Sequence, residues 1–172
     1  MERRKLNALD ESVHGKGKLD LRLIYATEPK RGTQSQAIGR SRGGVTTKIM
    51  ALTDALGNLI DFRLLPGQAH DLRGTAALIE GLCCGKLLAD RAFDANWLRE
   101  ALADARIEAV IPPKSNRRFP AEFDRDTYKW RHLIENFSGK LKEYRGIATR
   151  CCKTDTSFSA FIALASTVIR LR

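Results

Sequence analysis

Apolar and polar positions alternate over 19–27. Leu19, Leu21, Leu23 and Tyr25 fall on one side, and Asp20, Arg22, Ile24 and Ala26 on the other. A period of two predicts a strand, here with a carboxylate near its start. Residues 28–44 are polar, with glycines at 32, 39, 43 and 44, and read as a long loop. Two further strands follow over 46–53 and 59–65. Asp54, Gly57 and Asn58 supply turn chemistry between them, and Pro66-Gly67 closes the second, so the pair reads as a hairpin. From there the pattern changes. Asp71 can cap a helix to about residue 80. Residues 86–90 form a short buried strand, and Asp94 can cap a helix to about residue 105. Residues 108–111 form another buried strand, stopped by Pro112-Pro113. A loop over 114–125 leads to helices over 128–142 and 157–171. Residues 1–18 have no period and read as a loose basic leader, with 19–172 as one domain. The order predicts an α/β protein: a mixed five-stranded sheet flanked by helices, its first three strands an antiparallel meander and the rest parallel.

The helix over 128–142 carries the sharpest pattern. At about 100° per residue, Arg131, Glu135 and Lys142 lie within roughly 60° of Tyr128. Trp130, Leu133, Ile134, Phe137, Leu141 and Tyr144 gather on the opposite side. One face is therefore apolar and predicted to be buried. The other presents a single carboxylate among an aromatic, an arginine and a lysine. Most charged helix faces only meet water, so this pattern alone assigns no chemistry.

Composition narrows the setting. The chain has 172 residues, 43% hydrophobic and 29% charged, which is globular. Its formal net charge of +10 and pI of about 9.8 point to a polyanion, with nucleic acid first. No apolar run approaches the ~20 residues of a spanning helix, and no signal-peptide pattern follows the basic start. The cysteines form adjacent pairs, Cys83-Cys84 and Cys151-Cys152, which is poor zinc-ligand spacing, and they read as reduced, partly buried thiols.

Asp90 ends the strand over 86–90, where a polar side chain must leave the sheet; the bland alternative is a strand-to-helix turn. Arg40, Arg42 and Lys48 surround a glycine-containing stretch in which backbone can approach phosphate closely. Lys114, Arg117 and Arg118 follow the rigid Pro-Pro step. His70 titrates near neutrality but sits between a Pro-Gly turn and a helix cap, so a general-base role has little support.

The spacing of Tyr128, Arg131, Glu135 and Lys142 resembles the signature of bacterial insertion-sequence transposases of the DDE class. Residues 88–95, LADRAFDA, resemble that family's second-carboxylate motif. Residues 39–48 with 66–71, and residues 111–118, resemble further family stretches. The likeness runs from about residue 20 to the end. It implies a ribonuclease H-like fold, which the element order also suits. It implies a Mg²⁺-dependent two-metal site, with Mn²⁺ as a substitute, held by Asp20, Asp90 and Glu135. Arg131 and Lys142 would hold phosphates and Tyr128 a displaced nucleotide. The partners implied are the element ends and target DNA, engaged by a homo-oligomer in the bacterial cytoplasm at the nucleoid. Two departures stand out. Leu21 and Arg22 replace the small residues that follow the first carboxylate in the family, which leaves Asp10 as a rival to Asp20. Only about twenty residues precede the first strand, where the family usually has a DNA-recognition domain. A truncated, catalytically silent relic that only binds DNA, or a stand-alone metal nuclease, are the competing readings.

Overall fold

The computed structural model describes residues 18–27, 36–41 and 44–172. Asp10, Arg42 and most of the leader lie outside them. Six strands form one sheet: β1 (Lys18–Thr27), β2 (Gly39–Ser41), β3 (Gly44–Thr53), β4 (Leu59–Pro66), β5 (Lys86–Ala89) and β6 (Glu108–Val110). β1 is central. It pairs antiparallel with β3, in register Asp20↔Thr53 to Thr27↔Thr46, and parallel with β5, where Asp20 faces Leu88 and Leu21 faces Ala89. β4 pairs antiparallel with β3, and β6 parallel with β5. Apart from β2, the strands therefore run β4-β3-β1-β5-β6, the ribonuclease H-like arrangement. The sixth strand, β2, corrects the expected loop over 28–44. Its three residues pair with the start of β3, on the edge that β4 occupies further along.

Helices cover both sheet faces, which explains why β3 is buried almost throughout. On one face, α1 (Thr75–Ile79) and α2 (Asn96–Asp104) bury Leu78, Leu98 and Leu102 against Leu19, Leu21, Met50, Leu52 and Leu87. On the other, α4 (His132–Glu143), α5 (Arg145–Ala148) and α6 (Asp155–Leu171) bury Phe137, Leu141, Ile147, Phe158 and Ile162 against Ile24, Ala26, Ile49 and Ala51. The alternation read from 19–26 sorts onto these two faces, and Asp20 and Arg22 share the α4 side.

Several expected boundaries move. Asp71 does not cap α1, whose N-cap is Gly74 with φ 94°. Asp94 does not cap α2, whose N-cap is Ala95. Residues 128–142 are not one helix: α3 (Arg125–Tyr128) passes through a 3₁₀ turn, Lys129–Arg131, into α4. Asp124 starts this run, accepting from the Asp126 and Thr127 amides at 3.0 and 2.9 Å. Lys86 of β5 holds Asp124 at 3.1 Å and so ties the helix start to the sheet. At the far side, the β3–β4 turn packs on the start of α4. Gly57 has φ 83°, a conformation that side-chain-bearing residues rarely adopt, and a Cβ there would make a tight 3.2 Å contact with the Leu133 carbonyl oxygen.

Candidate active site

Asp20 sits in mid-sheet, 6% exposed. Neither of its carboxylate oxygens has a hydrogen-bond partner of ordinary geometry. Burial pushes its carboxyl up to about 8, opposed chiefly by the Arg131 guanidinium. Its register partner Leu88 lies two residues before Asp90, so the two carboxylates project from neighbouring strands on one face. Asp90 follows β5 directly, and its Oδ1 accepts from the Arg91 amide at 2.6 Å. Glu135 reaches that face from the edge of the first turn of α4, beside the buried stripe of Ile134, Phe137 and Leu141 that packs on the sheet.

Guanidinium groups stand among these acids. Arg131 is 13% exposed; its Nη1 lies 3.6 Å from Asp90 Oδ1 and its Nη2 3.3 Å from Glu135 Oε1. The Tyr128 hydroxyl bonds the same group. Arg22 Nη1 donates to Glu135 Oε1 at 2.7 Å and is the main cause holding that carboxyl below its ordinary range. Sequence reasoning noted Arg22 only as a departure. Its position two residues after Asp20 on a strand was the signal that both side chains leave one face. Arg131, read as a phosphate contact, instead bridges two carboxylates in this structure.

A cavity of about 350 Å³ opens beside Asp20, lined by Lys18, Leu19, Thr53, Leu56, Trp130, Leu133 and Ile134 among others. The hydroxyl of Thr53, across from Asp20, is also buried without a partner. Trp130, expected in the core, is 54% exposed at the rim, with the Lys18 amine 5.3 Å from its ring centroid.

The basic residues divide. Arg40, Arg118 and Lys142 are exposed, and Lys114 is half-buried. Lys48 is not a free cation: its buried amine reaches the Ala69 carbonyl at 2.5 Å and Asp71 at 2.7 Å, clamping the turn after β4. Arg117 is likewise engaged, with Asp94 at 2.7 Å and with Asn96. Asp94 is the anchor of the Pro-Pro loop. It accepts from Arg99, Arg117 and the Lys114 amide. Burial alone would raise its carboxyl, yet these donors hold it below the ordinary range. His70 is exposed at its turn, where Nδ1 accepts from the Leu72 amide. The four cysteines are free thiols.

The chain is similar to known proteins. The family profile described as Transposase DDE domain matches residues 13–169. A putative transposase for insertion sequence element IS6501 from Brucella ovis is 40% identical over 130 residues, covering 74% of this chain and all of the relative. Among solved structures, the piggyBac transposase synaptic complex with hairpin DNA is 17% identical, with TM-score 0.43 over 59% of this chain and 24% of that one. The simian T-cell lymphotropic virus intasome in complex with PP2A regulatory subunit B56 gamma is 11% identical, with TM-score 0.48 over 87% and 48%. The pre-cleavage Mos1 transpososome is 14% identical, with TM-score 0.38 over 73% and 53%. The chain thus spans about half or less of each of these three, and family membership stands on the two sequence matches. This chain belongs to the Transposase DDE domain family and is a transposase catalytic domain of the insertion-sequence type.

Proposed function

We propose that the face shared by Asp20, Asp90 and Glu135 cuts and rejoins DNA strands at the ends of an insertion sequence. The observation that carries this reading is Asp20: a carboxylate buried in the central strand with no hydrogen-bond partner of ordinary geometry, in a chain of this family. A buried acid with both oxygens unsatisfied is costly, and persists where a cation or proton completes it. Among the described residues no three acidic, histidine or cysteine groups are already clustered as a metal site. The donor set nevertheless fits a hard divalent cation such as Mg²⁺, which takes carboxylate oxygens and keeps several waters. Asp20, Asp90 and Glu135 would hold it. When bound, a metal pair activates an attacking oxygen and stabilises a leaving one. In the reaction, water attacks the phosphodiester at the element end, and the freed 3′-hydroxyl then attacks target DNA.

The chain's own part is to place these groups. β1, β5 and α4 present the three acids from separate elements. Exposed Arg40, Arg118 and Lys142 and half-buried Lys114 are available to phosphates, and Tyr128, half-buried beside Arg131, to a displaced nucleotide. Arg42, outside the described residues, belongs to the same basic stretch as Arg40. The partners proposed are the element ends and target DNA, with a homo-oligomer assembled on them. Cytoplasmic action at the nucleoid is consistent with the absence, among the described residues, of any helix long and apolar enough to cross a membrane. The silent-relic reading is not favoured, because Asp20 does lie on the strand beside Asp90.

Glu135→Gln keeps the side-chain shape and removes the charge a divalent cation needs. It is expected to reduce Mg²⁺-dependent nicking of a duplex bearing the element end to background, while circular dichroism and DNA affinity stay those of the parent. Parental nicking rates in Glu135→Gln would remove the three-carboxylate site.

A further inference from the structure

Arg22 stands two residues after Asp20 on β1, so both side chains leave the same sheet face. Its Nη1 sits 2.7 Å from Glu135 Oε1, the oxygen that also faces Arg131 Nη2 at 3.3 Å. The two guanidinium groups differ in how they are held. Arg131 is nearly buried, bonded to the Tyr128 hydroxyl and close to Asp90. Arg22 is 28% exposed, and among the described residues Glu135 is its one ion-pair partner. Of the two, Arg22 is the more exposed and has the fewer partners, so it is the one that can turn toward water.

We infer that Arg22 is a latch on the metal site: it holds Glu135 Oε1 in the place of a divalent cation, and the cation binds only by displacing it. This rests on the three-carboxylate reading above. A guanidinium is a permanent single charge with donors spread in a plane. It satisfies a carboxylate in the absence of metal, and it cannot share the same oxygen lone pairs with an ion that requires them. A positive charge left beside that ion also repels it. Arg22 is thus a positioning residue, acting through Glu135, and it sets how much free metal is needed before the third acid joins the other two.

The test is Mn²⁺ binding to the full chain without DNA, read by titration calorimetry or by loss of the free-ion paramagnetic signal. The combined effect of a partly exposed ion pair and one neighbouring positive charge corresponds to about five- to tenfold in affinity. Arg22→Thr is expected to bind Mn²⁺ tighter than the parent by that factor. Arg22→Gln, which keeps the side-chain reach without the charge, is expected to do the same and covers a folding failure of the threonine variant. Adding Glu135→Gln to either should erase the gain. Equal or weaker binding by both folded Arg22 variants, with binding still sensitive to Asp20→Asn and Glu135→Gln, overturns the latch and leaves the three-carboxylate site standing. Binding indifferent to Asp20→Asn and Glu135→Gln, or no binding by any of these chains, overturns the site itself and the latch with it.

Discussion

Near neutral pH the metal-free fold carries Asp20 at a cost. Burial pushes its carboxyl up to about 8 in the folded chain, against an ordinary value of 3.8. Between those values the folded chain holds a proton that the unfolded chain has released, so this group's contribution falls as pH rises through the window. Asparagine has no ionisation to suppress. Asp20→Asn is therefore expected to stabilise the chain in EDTA by roughly 2–4 kcal/mol near pH 7, with the gain vanishing toward pH 4. Urea unfolding at both pH values checks this. A gain that is the same at both would assign the cost to hydrogen bonding and not to ionisation. Single side chains were also where the sequence was hardest to read. Asp20 was legible because a carboxylate in an alternating strand must lie on one face or the other. Lys48 and Arg117 looked like free cations because their partners come from residues 69, 71, 94 and 96. Such pairings depend on register and loop path, and neither leaves a periodic trace.

At the scale of the element, the helix bearing Glu135 shows what periodicity does and does not specify. It specifies rotation: Ile134, Phe137 and Leu141 are buried and Glu135 is turned away from them, as the apolar stripe predicted. It does not specify position along the sheet. Trp130 shares the stripe's angle but lies at the rim of the cavity beside Asp20, with the Lys18 amine 5.3 Å from its ring centroid. The 3₁₀ turn at Lys129–Arg131 was equally hidden, since the composition there suits any helical turn. The two aromatic positions should therefore respond differently. Phe137→Ala is expected to cost roughly 3–5 kcal/mol, as for a ring fully enclosed in a core. Trp130→Ala, taking away a half-exposed ring, should cost about 1 kcal/mol or less. Chemical denaturation of the two variants side by side tests this. A large loss at Trp130 would mean that the ring is covered in solution.

Over the whole molecule, the topology was legible because connections are constrained. Three successive strands pair most simply as a meander, and strands separated by helices return parallel. β2 escaped because three residues in a glycine-containing stretch resemble a loop. The net charge of +10 predicted a polyanionic partner without saying which cations meet it, and the structure now divides them. Of the eight first assigned to phosphates, Lys48, Arg117 and Arg131 are occupied within the fold, Arg42 lies outside the described residues, and Arg40, Lys114, Arg118 and Lys142 remain available. Each phosphate contact with duplex DNA contributes about −0.9 to the slope of log affinity against log salt. The expected slope is then about −4, or about −4.5 if Arg42 also engages, where eight working contacts would give about −7. Arg118→Ala should make the slope shallower by about 0.9 without altering stability. Lys48→Ala should do the reverse, leaving the slope alone while weakening the fold, because its amine ties β3 to the turn that follows β4. Fluorescence-anisotropy titrations across a salt series separate these outcomes. A flat slope would reduce the basic surface to solvated charge. A parental slope near about −7 would mean that Arg117 leaves Asp94, Lys48 leaves Asp71 and Arg131 leaves Asp90 and Glu135 when DNA binds, so that the loop after β6 and the turn after β4 rearrange on the substrate.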